Sequence, residues 1–152
     1  MENYIFTDNY GIKAQEPIRL AEYAYDFDKA NFKRDKEGGT YLVYDKEALK
    51  IKIWKLFMTE RYRYLVFDWD YGHELLTLIG KSYTPGYINS EAERFIKEAI
   101  FKNLGAYVKR LDDINIFFEQ GTLYCDFTVV SIYGETEIRG LRIFIWKLTK
   151  NT

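Results

Sequence analysis

Two aspartates, Asp68 and Asp70, stand two residues apart in an aromatic segment, and Glu74 follows closely. Carboxylate oxygens are the ligands that Mg²⁺ and Ca²⁺ prefer, and a pair of carboxylates is also the acid–base machinery of glycoside hydrolysis. These three side chains therefore define one functional hypothesis, a cell-wall hydrolase or a metal-dependent hydrolase. The pattern is weak evidence for catalysis, because aspartate is also common in turns beside a glycine such as Gly72.

The chain has one histidine, His73, and one cysteine, Cys125. One cysteine cannot form a disulfide within the chain, and one residue of each kind is too few for a Cys/His zinc site. His73 precedes a short helical pattern, so we interpret it as a capping or packing residue. Cys125 stands in an alternating run, where a buried small side chain is expected. No cofactor is predicted, since the chain also lacks a glycine-rich phosphate loop.

Charge and hydropathy argue against nucleic acid and membrane as partners. The 152 residues carry 22 Lys and Arg against 23 Asp and Glu, whereas a general nucleic-acid binder shows a basic field. No apolar run approaches the ~20 residues that span a bilayer, and the N-terminus lacks the pattern of a signal peptide. A soluble, intracellular protein is therefore expected. Basic residues around the first predicted helix are interspersed with acidic ones, which favours solvated or protein-facing surface: Lys46, Lys50, Lys52, Lys55, Arg61 and Arg63.

The periodicity predicts a single α+β domain over residues 23–152, preceded by an N-terminal arm over residues 1–22. Two β-rich runs around Gly38 and Gly39 predict a hairpin with a long loop. Aromatic residues make up 18% of the chain, and tyrosine leads them with 14 copies. Because tyrosine suits half-buried surfaces, this surplus favours several protein interfaces.

Two helices are predicted between the hairpin and the C-terminal strands. The first runs to Met58 with Asp45 as its N-cap, and the second runs from Ile88 to Leu104 after a turn at residues 84–86. The first helix carries two apolar stripes, which indicates two packing partners, and another chain is one candidate for the second partner. The stripes comprise Leu49, Ile53, Leu56 and Phe57 on one side and Ile51, Trp54 and Met58 on the other.

The C-terminal region alternates with a period of two and predicts an antiparallel meander. Its long middle strand starts at Leu123, and its last strand runs from Glu137 to Trp146. Apolar residues occur on both faces of the middle strand, with Phe127 on one side and Tyr124 on the other. Both faces of the sheet, or one face and an edge, must therefore be covered by other protein surface.

The order of several segments resembles the sheath-initiator, or baseplate-wedge, family of contractile phage tails. A helix rich in Leu, Ile and Trp runs into residues 59–64, Thr-Glu-Arg-Tyr-Arg-Tyr, and then into Trp-Asp-Tyr-Gly-His-Glu-Leu at 69–75. The second helix carries Ser-Glu-Ala-Glu-Arg-Phe-Ile-Lys-Glu-Ala at 90–99, and the meander carries Ile-Tyr-Gly-Glu at 132–135. The resemblance covers roughly residues 40–139 and is closest to the branch in prophages and phage-tail-like bacteriocins.

The resemblance implies a non-catalytic baseplate protein that folds as two helices on an antiparallel sheet. Six copies would join the baseplate wedge to the first sheath ring, with tube or hub proteins as further neighbours. Assembly would take place in the bacterial cytoplasm and leave the protein in the baseplate of the particle. The C-terminal strands would pair with extended arms of the sheath and nucleate its assembly.

Two sets of residues carry the implied contacts. The wedge contact and the turn between the helices would use Thr59, Glu60, Arg61, Asp70 and Gly72. The sheath-pairing surface would use Tyr124, Phe127, Ile132, Tyr133, Ile138, Leu141, Ile143 and Phe144. The chain departs from the family pattern after the second helix, where some members carry a wedge-binding Glu-Pro-Arg and this chain has Asn-Leu-Gly-Ala-Tyr at 103–107. The family also bears an old lysozyme-like label, which the carboxylates here do not support.

Overall fold

The computed structural model describes residues 19–78, 84–120 and 122–143. The predicted α+β class is confirmed, because two helices pack on a three-stranded antiparallel sheet at the C-terminal end. The described elements are β1 (Ala21–Tyr23), β2 (Tyr25–Asp26), β3 (Asn31–Phe32), β4 (Leu42–Tyr44), α1 (Asp45–Met58), a 3-10 turn (Leu75–Leu78), α2 (Pro85–Leu104), β5 (Val108–Glu119), β6 (Thr122–Ser131) and β7 (Gly134–Ile143).

The N-terminal strands form the predicted hairpin. Strand β1 pairs with β4, and β2 pairs with β3 to make a smaller hairpin inside it. Glu22 in β1 fastens this hairpin to α1, because its carboxylate lies 2.9 Å from Lys52 Nζ and 2.5 Å from Lys55 Nζ. Burial acts to raise the pKa of Glu22, but the two lysines outweigh it and lower that pKa. The division into an arm over 1–22 and a domain stays a prediction, since residues 1–18 lie outside the described range.

Helix α1 begins differently from the prediction, although its extent is the expected one. Asp45 is not the N-cap: that position is Tyr44, which makes no side-chain capping bond. Asp45 is the first helical residue, takes a φ of 53°, and places its carboxylate 3.3 Å from Arg19 Nε. The first apolar stripe is fully buried, whereas the second runs from the buried Ile51 to the exposed Met58.

Helix α2 begins three residues earlier than predicted. Thr84 is its N-cap and accepts a hydrogen bond from the Tyr87 amide at 3.4 Å, and Pro85 occupies the first helical position. Proline is favoured there because that position lacks an intrahelical partner for its N–H and fits a φ near -65°. The Thr-Pro-Gly segment is therefore a helix start and not a separate turn. The predicted pair of Glu93 and Lys97 is present at 2.6 Å.

The C-terminal sheet has the order β5-β6-β7, and one of its faces forms the core with both helices. Helix α1 packs against β7, and α2 packs against β5. Alternate residues of β6, from Leu123 to Val129, are buried against them, while Tyr124 and Val130 lie half-buried on the opposite face. No helix among the described residues is long and apolar enough to cross a membrane.

Candidate assembly interfaces

The segment between α1 and the 3-10 turn is an open loop whose two ends are bonded together. His73 donates its amide to the Thr59 carbonyl at 3.1 Å, and Arg61 donates its amide to the His73 carbonyl at 3.0 Å. The Thr59 hydroxyl in turn donates to the Lys55 carbonyl at 3.0 Å, at the end of α1. These bonds make a parallel bridge between Glu60 and His73, so the chain leaves and re-enters the core at one point.

Arg61 connects the base of this loop to α2. Its side chain is only 4% exposed, and Nη1 donates to Glu98 Oε1 at 3.0 Å and lies 3.7 Å from Glu74 Oε2. Nη2 lies 3.4 Å from the Gly72 carbonyl, whereas Nε is buried without a hydrogen-bond partner among the described residues. Burial acts to lower the pKa of Arg61, but the bond to Glu98 and the two carboxylate charges raise it, so the side chain stays charged.

Gly72 is required at the base of the loop by both its conformation and its surroundings. Its φ is +112°, and a Cβ at this position would lie 2.4 Å from the Thr59 carbonyl oxygen and 3.0 Å from the Arg61 amide nitrogen. That oxygen is the one that accepts the His73 amide. Glycine therefore allows the two ends of the loop to approach closely enough to bond.

His73 is a packing and capping residue, as the sequence indicated. Its ring stacks on Phe57 at a centroid distance of 5.9 Å, and Nδ1 accepts the Leu75 amide at 3.1 Å. That bond satisfies a backbone donor at the start of the 3-10 turn. Burial lowers the pKa of His73 to about 4, so the imidazole is neutral at pH 7.

Residues 62–71, here called the aromatic loop, project from this base; residues 62–70 are exposed, and Tyr71 packs against the core. Leu65 is 96% exposed and Val66 is 90% exposed, which is unusual for adjacent apolar side chains. Three ring contacts stiffen the loop beside them, with centroid distances of 5.0–6.4 Å: Tyr62–Trp69, Tyr64–Phe67 and Phe67–Tyr71. An apolar surface on a braced loop is typical of a protein-binding site.

The residues predicted for the wedge contact therefore meet around one feature, but most of them hold the loop and do not face outward. Thr59, Arg61 and Gly72 are buried at its base, and Glu60 pairs with Arg63 at 2.8 Å. Asp70 pairs with Lys102 of α2 at 3.1 Å, which fixes the far end of the loop. Neither Lys102 nor Glu98 stands in a sequence pattern that indicates this role. No spacing rule could have found the Arg61–Glu98 bond, because 37 residues separate its partners.

Arg61→Lys is expected to destabilise the fold by about 1–2 kcal/mol. Lysine keeps the positive charge, but it has no planar fork with which to reach both Glu98 and the Gly72 carbonyl. The measurement is the free energy of unfolding in urea. Arg63→Lys is the control, because that arginine is exposed and pairs with Glu60 at the surface, and it should change the stability by less than about 0.5 kcal/mol. Equal effects of the two substitutions would contradict the role given to Arg61.

The residues predicted for the sheath contact divide into two groups. Four of them are buried in the core, so their side chains do not face a partner in this fold: Phe127, Ile138, Leu141 and Ile143. Tyr124 lies half-buried on the outer face and stacks on Phe117 at 5.0 Å, Ile132 is exposed at the β6–β7 turn, and Tyr133 stacks on Tyr107 at 6.3 Å. Phe144 lies outside the described residues. The role of this set at the sheath stays a prediction.

Strand β7 is an edge strand, and only its β6 side is paired among the described residues. Ser131 and Gly134 close a two-residue hairpin, and such a closing pair is hydrogen-bonded. The β6–β7 pairing has a bulge between Ile138 and Leu141. Before this bulge, every second residue of β7 therefore points its N–H away from β6, and these residues are Glu135 and Glu137. At the bulge, the Gly140 amide donates to the Asp126 side chain at 2.7 Å. Within the part of the chain that the structure describes, the outer edge thus offers unpaired backbone groups over its first half.

The carboxylates of the hydrolase hypothesis do not converge. Asp70 faces Lys102, and Glu74 faces Arg61 at the loop base. Among residues 19–78, 84–120 and 122–143, no group of three His, Cys, Asp or Glu side chains could hold a metal ion. Cys125 is buried as expected, and burial raises the pKa of its thiol to about 12, which makes it a poor nucleophile.

Comparison with known protein families bears on these surfaces. The family model described as contractile injection system sheath initiator matches residues 21–134, three quarters of the chain. The matched segment contains the hairpin, both helices, the aromatic loop, β5 and β6, and it ends at the first residue of β7. A search of curated proteins found no match. Membership of this family implies a structural component of a contractile tail whose neighbours are sheath and baseplate proteins. The chain therefore belongs to the sheath-initiator family of contractile injection systems.

Proposed function

We propose that this protein joins the baseplate wedge to the first ring of the sheath and nucleates sheath assembly by β-strand pairing, without a catalytic step. The observation that carries the proposal is the outer edge of β7, which is unpaired among the described residues. An extended arm of a sheath subunit would bond to this edge, so that the backbone supplies affinity and the flanking side chains supply register. The net charge of -1 suits a protein partner better than a nucleic acid.

The aromatic loop is the proposed contact with the wedge. Arg61, Gly72 and Asp70 would act by holding this loop, and Leu65, Val66 and Trp69 would make the contact itself. Their side chains are the most exposed large apolar ones in the loop. Burying them against the wedge would remove apolar surface from water, which favours binding. This chain has no Glu-Pro-Arg after α2, so in this proposal the aromatic loop makes the wedge contact instead. Six copies per particle, further contacts with tube or hub proteins, and cytoplasmic assembly before incorporation into the baseplate are part of the same proposal.

On the sheath side, the buried members of the predicted set would act indirectly. Phe127, Ile138, Leu141 and Ile143 hold β7 against the helices, while Tyr124, Ile132 and Tyr133 present surface to a partner. Removing residues 135–152 would delete three of these core side chains, and losing buried Leu or Ile side chains costs about 2–5 kcal/mol each. Such a truncation would test folding and not sheath pairing, so a backbone change at the edge is the better experiment.

Glu137→Pro is expected to abolish the seeding of sheath while the protein stays folded. Proline removes the N–H that Glu137 points away from β6, and its ring blocks the approach of another strand. Proline is tolerated on an edge strand when the lost N–H faces outward, so the free energy of unfolding should fall by about 1 kcal/mol at most. The measurement is elongation of purified sheath protein from the same particle on particles that carry the variant, followed by electron microscopy and light scattering.

Glu137→Ala is the matched control, because it removes the same side chain and keeps the N–H. It should seed sheath at close to the wild-type rate. Normal seeding by a folded Glu137→Pro protein would overturn strand pairing at β7. Loss of seeding in both variants would assign the effect to the carboxylate and would equally contradict a backbone interaction.

A further inference from the structure

A groove of about 790 Å³ lies between the small N-terminal hairpin, α1 and β7. Its floor is the second apolar stripe of α1, made by Ile51, Trp54 and Met58. This stripe faces away from the helix–sheet core, which explains why α1 carries apolar residues on two sides. A groove of this volume has room for several large side chains, since it lies within the range of sites that enclose drug-sized ligands.

The hairpin wall of the groove is fixed by aromatic packing on Trp54. Its indole lies 4.8 Å from the Phe27 ring and 5.6 Å from the Tyr25 ring, measured between centroids. Phe32 then packs edge-on against Tyr25 at 5.4 Å. Trp54 is thus held on one side and remains partly open to the groove on the other.

The opposite wall is the edge strand itself, represented by Ile138, Arg139, Gly140 and Arg142. A Cβ at Gly140 would meet no atom of the described residues within 4 Å, so among them there is open space beside the backbone at this point. Helix α1 follows β7 along its length. Its first turn approaches Gly134, because Lys46 Nζ lies 3.7 Å from a Cβ built there, and its end shares a small cavity with Ile143. The apolar floor therefore runs beside the free edge.

The charges around the groove are divided between its walls. Both charged residues on the β7 wall are arginines, Arg139 and Arg142, and Lys50 adds a positive charge on α1 beside Glu47. The hairpin wall carries Asp26 and Asp28 with Lys33. Neither Arg142 nor Lys50 makes an ion pair within the described residues, whereas the Asp26 carboxylate already accepts the amides of Asp28 and Lys29 at 3.1 and 3.0 Å. On the β7 wall, Arg139 already pairs with Glu137 at 3.4 Å, so the charge there that makes no ion pair within the described residues is that of Arg142. This positive charge favours a carboxylate on the occupant.

We propose that this groove receives the extended segment of the sheath protein that pairs with β7, and that it sets which segment is accepted. Alternate side chains of the segment would be apolar and lie on Ile51, Trp54 and Met58, and a carboxylate would face Arg142. This inference rests on the proposed function, and it adds the chemistry of the strand that β7 selects.

The dimensions of the floor agree with such an occupant. From residue 51 to residue 58 a helix rises about 10 Å, at 1.5 Å per residue. Side chains on one face of a strand repeat about every 6.7 Å, so two successive ones fit within the distance between Ile51 and Met58. Pairing with β7 therefore places two apolar side chains of the segment on the floor at once.

The test uses Trp54 as a reporter in the full chain. Trp69→Phe and Trp146→Phe leave Trp54 as the single tryptophan. The probes are synthetic peptides that cover the terminal segments of the sheath protein from the same particle, with a scrambled peptide as the blank. One peptide is expected to bind and to shift the Trp54 emission to shorter wavelength, because an apolar side chain displaces water from the indole.

Met58→Lys and Arg142→Glu are each expected to weaken the binding of that peptide about tenfold or more. Their matched controls lie on β5, outside the groove: Phe118→Lys replaces another exposed apolar side chain, and Lys109→Glu reverses an exposed charge. Replacing the carboxylates of the peptide with amides should reproduce the effect of Arg142→Glu. Both controls should bind as the wild type does.

The outcomes separate this inference from the function on which it rests. If a peptide binds, and Glu137→Pro abolishes the binding but Met58→Lys and Arg142→Glu do not, strand pairing stands and the groove has no part in it. If no terminal peptide binds or changes the Trp54 emission, the groove proposal is wrong, while seeding of whole sheath by Glu137→Ala and not by Glu137→Pro still supports the function. If the β5 controls weaken peptide binding as much as the groove variants do, the groove proposal is also wrong.

Discussion

Replacing Gly72 with alanine is expected to destabilise the protein by about 3 kcal/mol and to release the aromatic loop from its base. A non-glycine residue at a φ of +112° costs about 1–3 kcal/mol by itself. The added methyl group would also lie 2.4 Å from the Thr59 carbonyl oxygen, so the loop ends must separate. The bond from the His73 amide to that oxygen would then be strained or lost.

Gly38→Ala provides a control for the conformational part of this effect. Gly38 also has a positive φ, +85°, but a Cβ there would meet no atom within 4 Å. Its substitution should cost about 1 kcal/mol, and the difference between the two variants then measures the close approach at Gly72. The measurement is urea unfolding of both variants beside the wild type. A Gly72→Ala protein that loses no more stability than Gly38→Ala would refute the account of the loop base.

Release of the aromatic loop should also reduce the incorporation of the protein into baseplates. The exposed side chains of Leu65 and Val66 can form a defined contact only if the loop that carries them is held in place, because a mobile loop must be ordered at the cost of binding free energy. Folded Gly72→Ala protein should therefore enter baseplates less often than Gly38→Ala protein. Incorporation can be compared by mass spectrometry of purified particles.

The helices were predictable because their apolar residues repeat with the helical period and lie on the buried side. Their starts were less predictable. The Thr-Pro-Gly segment before α2 contains a favoured N-cap and a proline at the first helical position, a signal that also occurs in turns. Asp45 is a good N-cap by residue type, yet its carboxylate pairs with Arg19, 26 residues away, and the helix begins without a side-chain cap. A contact between distant residues decided the start of α1, whereas the start of α2 was ambiguous because its local signal fits both a helix start and a turn.

For the sheet, the sequence predicted the strands but not which face the helices cover. Alternation along β6 correctly separated the side of Phe127 from the side of Tyr124, but it could not indicate which side the helices cover. Residues of both sides were consequently assigned to the sheath surface. The packing of α1 on β7 and α2 on β5 places Phe127 and Leu141 in the core and leaves the outer face and the β7 edge for a partner.

The loop residues were identified by resemblance, and their physical role needed the fold. Thr59, Arg61 and Gly72 are close in sequence to the aromatic segment, so a turn was a natural interpretation. That Arg61 is buried depends on Glu98, which α2 brings from 37 residues away. A buried arginine requires such partners, because an unpaired charge in the core is very costly.

The stability of the protein is expected to fall by about 3 kcal/mol when the pH is lowered from 6.5 to 4, with His73 as the cause. The pKa of His73 is about 4 in the folded protein, against an ordinary value of 6.5. Between these values the unfolded chain binds a proton at His73 that the folded protein does not bind. Stability therefore rises with pH across this window, and it is lost as the pH falls through it.

The upper part of this window isolates His73, because it is the only histidine in the chain and carboxylates protonate chiefly below pH 5. Between pH 6.5 and 5 the free energy of unfolding should drop by about 2 kcal/mol, as measured by urea titration at each pH. His73→Asn is the control, since its side-chain oxygen can accept the Leu75 amide in place of Nδ1 and does not titrate. The variant should be less stable than the wild type at pH 7, because it loses the stacking on Phe57, but its stability should be nearly constant over this interval. An equal slope in both proteins would show that another group titrates and that burial of His73 does not control the acid response.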